Sequence, residues 1–184
     1  MKSLPVVVVV ATHDAERLGF LTGRCLPSIA KQTSKADLVI VVSDNDPSTD
    51  FLNDDHIRSC FDADDRKKVR LIPNNRTRGN SGTGSWNSGI LSALASFGHD
   101  CFVAFLDDDD EWENNHLETC LKAANENSMW VVSGIVRISA SAKRYEHLLE
   151  SKPTADIFFT ANPGIQGSNL FVRVSALLGA GLFE

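Results

Sequence analysis

Residues 4–11 form a continuous, valine-rich apolar run, and residues 38–42 and 101–106 have the same character. Strands apolar on both faces belong inside a parallel sheet covered by helices, so these runs predict the interior of such a sheet. Between them the period changes. Leu18, Leu21, Cys25, Leu26 and Ile29 recur at helical spacing, as do Ile90, Leu91, Leu94 and Phe97, and both sets predict amphipathic helices. Further helices are expected over 51–60 and over 115–125, where Leu117 and Leu121 point inward, with a short strand over 69–72. Residues 129–139 read as one strand. A polar stretch over 141–156 then leads to 157–160, a glycine-rich turn and an apolar run over 169–174. Alternating strands and helices in this order predict an α/β sandwich with right-handed crossovers.

Composition narrows the picture. At 184 residues, 42% hydrophobic and 23% charged, the chain reads as one globular domain, without repeats or low-complexity segments. Its 18 basic and 24 acidic residues leave a net charge of −6, which disfavours nucleic acid and anionic lipid as partners. Cys25, Cys60, Cys101 and Cys120 are widely spaced, with no C-x-x-C pair, so a zinc site is not expected. The apolar run at 6–11 is too short to span a membrane and has no signal-peptide cleavage site. Reduced thiols in the cytoplasm, or at the periphery of a membrane, are the expected setting.

In open α/β sheets ligands collect beyond the carboxyl ends of the strands, so the polar residues there are the ones to inspect. The expected strands end in Thr12-His13-Asp14, in Ser43-Asp44-Asn45-Asp46, in Asn74-Asn75-Arg76-Thr77-Arg78 and in Asp107-Asp108-Asp109-Asp110-Glu111. Four consecutive carboxylates after a buried strand repel one another unless a cation is bound. Oxygen ligands suit Mg²⁺, Mn²⁺ or Ca²⁺, while a solvated acidic loop or a helix N-terminus is the alternative. Gly79 to Ser85 could form a backbone nest for phosphate or a plain surface loop. It lacks the lysine of a P-loop, and no G-x-G-x-x-G follows the first strand. Asp44 suits a base or ribose, or equally a turn cap. His13 suits a pocket wall. Without a G-x-S-x-G elbow, or a cysteine in electropositive surroundings, a covalent hydrolase is disfavoured.

The chain-ordered segments Val10-Ala11-Thr12-His13-Asp14, Cys25-Leu26-Pro27-Ser28-Ile29 with Gln32-Thr33, Asp44-Asn45 with Ser48-Thr49-Asp50, Asn87-Ser88-Gly89-Ile90 and Phe105-Leu106-Asp107-Asp108-Asp109-Asp110-Glu111-Trp112 form a further pattern. They resemble, respectively, the opening strand with its Thr-x-Asn, the L-x-S-[IL]…Q-[ST] helix, the Asp-Asp-Gly-Ser-x-Asp turn, the Asn-x-Gly-Ile helix start and the F-L-D-x-D-D-x-W strand end of family 2 glycosyltransferases. These are inverting enzymes of the GT-A fold that use nucleotide-diphosphate sugars. Gly167-Ser168-Asn169-Leu170-Phe171-Val172-Arg173 and Gly181-Leu182-Phe183 resemble the acceptor-side segment before the family's G-x-F-D-E.

The resemblance implies a GT-A type (nucleotide-diphospho-sugar transferase-like) α/β/α sandwich with a mostly parallel central sheet, spanning residues 1–184. It implies transfer of a sugar, of the hexosyl type, from a nucleotide-diphosphate donor to a saccharide or other hydroxyl acceptor. A UDP-sugar is the favoured donor, with Mn²⁺ or Mg²⁺ as cofactor. Asp109 and Asp107 would ligate the metal, and Asp107 and Asp108 would contact ribose or metal-bound water. Asp44 and the turn of Thr12, His13 and Asp14 would hold the base, and Asn45 would belong to the same nucleotide-sugar site. Arg17, Arg76 and Arg78 would face the diphosphate, with Gly82 and Asn87 completing the donor site. Ala15 stands where members often carry a basic residue, and Trp86 where many carry Arg. The Glu-Asp pair that supplies the family's base is expected beyond Glu184, which itself aligns with the first acid of G-x-F-D-E and is the candidate left for the role. The chain therefore reads as the nucleotide-sugar-binding portion, truncated on its acceptor side. A non-catalytic nucleotide- or cation-binding module of the same fold stays open. So does a sugar-1-phosphate nucleotidylyltransferase, although Thr12-His13-Asp14-Ala15 replaces the glycine-rich basic loop of such enzymes.

Overall fold

In the computed structural model, which describes residues 4–44, 52–76, 82–125, 127–139, 141, 143–149, 156–157 and 160–183, the apolar runs become adjacent strands. β1 (Val6–Thr12), β2 (Leu38–Ser43), β3 (Val69–Pro73) and β4 (Phe102–Asp107) are parallel. β5 (Trp130–Val132) and β8 (Leu170–Arg173) extend the sheet antiparallel, in the order β3-β2-β1-β4-β8-β5.

Each strand side chain alternates between two cores. Val6, Val8 and Val10 pack with Leu21, Cys25, Leu26, Ile29, Ile57 and Leu117, while Val7 and Val9 pack with Ile90, Ala93, Val174 and Leu177. The run is apolar without interruption because both faces are covered, and burial of each valine contributes ~2 kcal/mol. α2 (Leu26–Ala30), α3 (Asp54–Arg58) and α5 (His116–Ala123) cover one face; α4 (Thr83–Phe97) and α6 (Val174–Gly179) cover the other. This is the expected α/β/α sandwich.

The departures are local. The helix expected from Leu18 to Ile29 changes its pitch, with a 3₁₀ turn at Ala15–Arg17, the α-helical turn α1 at Leu18–Phe20, a π turn at Leu21–Cys25 and then α2. Residues 129–139 are two strands, because β5 ends at Val132 and β6 (Ile135–Ile138) leaves the sheet to pair antiparallel with β7 (Arg144–His147). The polar stretch over 141–156 thus contains a strand, exposed along its length and lacking an apolar signature. The run over 169–174 turns from β8 into α6 at Val174. Thr160 N–H donates to the Ile157 carbonyl at 3.1 Å. Of the glycine-rich segment, Thr83 to Ser85 are the first turn of α4, with Gly82 before them at a φ of 82°, where a side chain would be strained.

Gly89 sets how closely α4 approaches β1. A Cβ there would lie 2.4 Å from Cγ1 of Val9, which is fully buried. Gly89→Ala is expected to cost ~2 kcal/mol in urea denaturation despite alanine's better helix propensity. In the double variant with Val9→Ala, which makes room, the loss should fall short of the summed single losses by ~1 kcal/mol or more.

Parallel pairing places the carboxyl ends of β1 to β4 on one rim. Thr12 is level with Ser43, Ser43 with Pro73, and Ala11 with Asp107. Among the described residues, no helix is long and apolar enough to cross a membrane.

Candidate functional site

A cleft of about 360 Å³ opens on this rim. β1 contributes Ala11 and Thr12, followed by His13 and then Arg17 from the 3₁₀ turn; β2 leads into Asp44; the start of α4 contributes Gly82, Ser85 and Trp86; and the end of β4 contributes Asp107, Asp108 and Asp109.

Asp44 is held in place from behind. Ser88 Oγ donates to Asn74 Oδ1 at 2.8 Å, Asn74 Nδ2 donates to Asp44 Oδ1, and the Asp44 amide donates to the Thr12 carbonyl at 2.8 Å. The carboxylate is oriented by α4 and β3, although it belongs to neither.

The acidic run is braced on both sides. On one side Gln32, 2% exposed, donates to the Ser28 and Glu113 carbonyls at 3.0 and 2.9 Å and accepts from the Leu117 amide at 2.9 Å. Ser28 Oγ accepts from the Trp112 amide at 3.1 Å. The Gln-Thr and Trp positions of the sequence pattern thus hold the loop rather than a ligand. On the other side, Ser168 Oγ accepts from the Asp107 amide at 3.1 Å and donates to Asp110 Oδ2 at 2.6 Å, and Trp112 Nε1 donates to the Ser168 carbonyl at 2.7 Å. Burial, reinforced by the charges of Asp110, Asp109 and Asp108, pushes the Asp107 carboxyl up to about 6, opposed by its hydrogen bond with Ser168.

Arg17 is the guanidinium that meets this charge. Its Nη1 lies 2.8 Å from Asp108 Oδ1 and its Nη2 lies 3.4 Å from Asp109 Oδ2. Several buried polar atoms of the cleft residues are unpaired. Thr12 Oγ1, Ser85 Oγ, Trp86 Nε1 and Asp108 Oδ2 have no hydrogen-bond partner among the described residues, at a cost of ~1–3 kcal/mol each if left dry. A polar ligand or ordered water in the cleft would relieve that cost.

Among the described residues, no group of three or more carboxylate, imidazole or thiolate side chains could by itself hold a metal ion. Asp107 and Asp109 do face one cleft, which fits an ion taking one or two protein carboxylates and completing its shell with water and substrate phosphate, as Mg²⁺ and Mn²⁺ do.

Of the residues singled out from the sequence, Thr12, His13, Arg17, Asp44, Gly82, Asp107, Asp108 and Asp109 are brought together here. Asp14 stands behind them, its Oδ1 accepting from the Glu16 amide at 2.9 Å and capping the turn that presents Arg17. Asn87 is engaged elsewhere. Its carboxamide donates to the Phe183 carbonyl at 2.7 Å and accepts from the Phe183 amide at 3.1 Å, so it ties α4 to residue 183 and does not line the cleft. Arg76 is exposed and also off the cleft wall. Asn45, Arg78 and Glu184 lie outside the described residues.

Ser85 enters the cleft as the last residue of the glycine-rich segment, whereas Trp86 and Ser168 lie outside the donor-site residues that the sequence pattern singles out. Trp86 packs on Phe105 and Phe183, with ring centroids 5.5 and 5.2 Å away, and Gly167 lies against its indole. It fills with an aromatic wall the place where the sequence pattern often carries arginine.

Comparisons with known proteins place the chain in a family and agree with its fold. The chain is 30% identical to an uncharacterised glycosyltransferase of Acanthamoeba polyphaga mimivirus, over 94% of this chain and 69% of the relative. It is 34% identical to a GalNAc(5)-diNAcBac-PP-undecaprenol beta-1,3-glucosyltransferase of Campylobacter jejuni, over 65% of this chain and 34% of that protein. Its fold matches S. aureus TarS, solved in complex with UDP-GlcNAc, with a TM-score of 0.65 at 18% identity over 98% of this chain. The chain spans about half of that structure, at 49%. The model of glycosyl transferase family 2 matches residues 7–178, and the chain belongs to that family.

Proposed function

We propose that this chain binds a nucleotide-diphosphate sugar in the rim cleft, with a UDP-sugar favoured, and serves a metal-dependent glycosyl transfer to a saccharide or other hydroxyl acceptor. The observation that carries this reading is the group of unpaired buried polar atoms, Thr12 Oγ1, Ser85 Oγ and Asp108 Oδ2, on residues lining the same cleft as Asp107 and Asp109. The solved neighbour's complex with UDP-GlcNAc supports it by analogy of fold.

Asp44 and the segment from Thr12 to Asp14 hold the base and ribose, with Gly82 and the first turn of α4 on the opposite side. Arg17 faces the diphosphate. Asp109 and Asp107 hold Mn²⁺ or Mg²⁺, which when bound stabilises the negative charge of the departing diphosphate as a Lewis acid. Asp108, buried and oriented by Arg17, contacts ribose or water. Inverting displacement also needs a carboxylate on the face of the sugar opposite the leaving group. That base is assigned to no described residue. A place in the cytoplasm or at a membrane surface is consistent with this chemistry.

Calorimetry with UDP, GDP and dTDP, with and without Mn²⁺, tests the reading. Binding that Mn²⁺ strengthens, with UDP ahead of the other two, is expected. Absence of metal-enhanced binding to all three would contradict it.

A further inference from the structure

Arg17 occupies the place where an incoming cation would have to act. Its guanidinium spans Asp108 Oδ1 and Asp109 Oδ2, at 2.8 and 3.4 Å. The Asp108 side chain is 2% exposed, yet that of Arg17 is 39% exposed, so the pair joins a fixed anion to a cation with solvent beside it. The second oxygen of Asp108 is buried without a hydrogen-bond partner among the described residues, so the guanidinium satisfies only part of what the acidic loop offers.

An arginine cannot shed its charge at any ordinary pH. A divalent ion arriving beside Asp109 therefore meets a positive group a few ångströms away, and Arg17 has to move. The backbone beneath it changes hydrogen-bond pattern three times, from the 3₁₀ turn at Ala15–Arg17 through the α turn at Leu18–Phe20 and the π turn at Leu21–Cys25 to α2. π turns inside helices recur at functional sites. Arg17 itself ends the 3₁₀ turn that leads into this π turn, and a long, half-exposed arm there can exchange one anion for another without disturbing the core.

We infer that Arg17 is an internal counter-ion that neutralises the acidic loop while the cleft is empty and transfers to the diphosphate when metal and nucleotide enter together. This inference rests on the donor-site reading above. It has a thermodynamic consequence. Metal alone has to displace Arg17 and leave it without an anion, whereas metal with a nucleoside diphosphate supplies one. Each ligand then strengthens the other through Arg17, and by linkage the two enhancements are equal.

The experiment measures Mn²⁺ affinity, from the EPR signal of unbound Mn²⁺, with and without saturating UDP, in the wild type, Arg17→Gln and Arg17→Lys. Thermal unfolding of each variant verifies that it is folded. Arg17→Gln is expected to bind Mn²⁺ alone about tenfold more tightly, because one charge near the ion is gone. The enhancement by UDP should shrink by about the same factor. Arg17→Lys, which keeps the charge, should bind Mn²⁺ alone within about threefold of the wild type. If Arg17→Gln binds Mn²⁺ alone no more tightly than the wild type, or keeps the full enhancement by UDP, the counter-ion role is overturned and the donor-site reading stands. If the wild type binds no Mn²⁺ even with UDP, the donor-site reading fails and takes this inference with it.

Discussion

Replacing Asp109 with alanine should remove the metal-dependent part of nucleotide binding, raising the Kd for UDP in Mn²⁺ by about 100-fold, or ~2.7 kcal/mol. The side chain is 43% exposed and its contact to Arg17 is long, at 3.4 Å. Its removal should therefore change folding stability by no more than ~0.5 kcal/mol. UDP affinity measured without metal should not weaken, because Asp109 is not placed on the base or ribose and its removal takes a negative charge from beside the diphosphate. Calorimetry on the variant with and without Mn²⁺ separates these effects. A wild-type response to Mn²⁺ in Asp109→Ala would remove this residue from the metal site.

A second large effect concerns acid stability. His116 is 9% exposed and stacks on Trp112, with ring centroids 4.4 Å apart, and burial lowers its pKa from 6.5 to about 4. The folded chain therefore holds the imidazole neutral at pH values where the unfolded chain protonates it. The associated stability is fully present above pH 6.5, declines as the pH falls towards 4 and is lost below that. The full amount is ~3.5 kcal/mol, since lowering the pKa from 6.5 to about 4 is worth ~1.4 kcal/mol per tenfold change in proton affinity. His116→Phe keeps a ring against Trp112 and removes the proton. Urea denaturation at pH 7 and at pH 4.5 should show the wild type losing ~2.5 kcal/mol more than the variant. Equal losses would mean that His116 is not the group responsible. Because Trp112 anchors the end of the acidic loop through Ser28 and Ser168, nucleotide binding should weaken over the same acid range.

The elements that were legible in the sequence are those whose burial leaves a mark on composition. β1, β2 and β4 are apolar on both faces because helices cover both, and their ends bring Thr12, Asp44 and Asp107 to Asp109 to one rim. The illegible elements have other origins. β7 is exposed, polar and paired with β6, so it carries no alternation, while β6 falls within the strand expected over 129–139 and only its departure from the main sheet was hidden. The start of α4 looks like a loop because its glycine and serine residues are poor helix formers. Tertiary packing overrides that tendency, since Gly84, Ser85, Ser88 and Gly89 are small enough to bury against the sheet. Asn87 fits a ligand motif by position, but its partner is the backbone of Phe183, nearly a hundred residues along the chain, a contact that no local pattern announces. Ser168 is hidden for the same reason. It bridges Asp107 and Asp110 only because β8 runs antiparallel beside β4.

The most direct measurement is a crystal structure of the chain soaked with UDP and Mn²⁺. Uracil and ribose are expected against Thr12 and Asp44, with a metal ion touching Asp109 and the diphosphate, and with Arg17 turned from Asp108 towards phosphate. An empty cleft at saturating ligand, or nucleotide bound away from Thr12, Asp44 and the acidic loop, would contradict it.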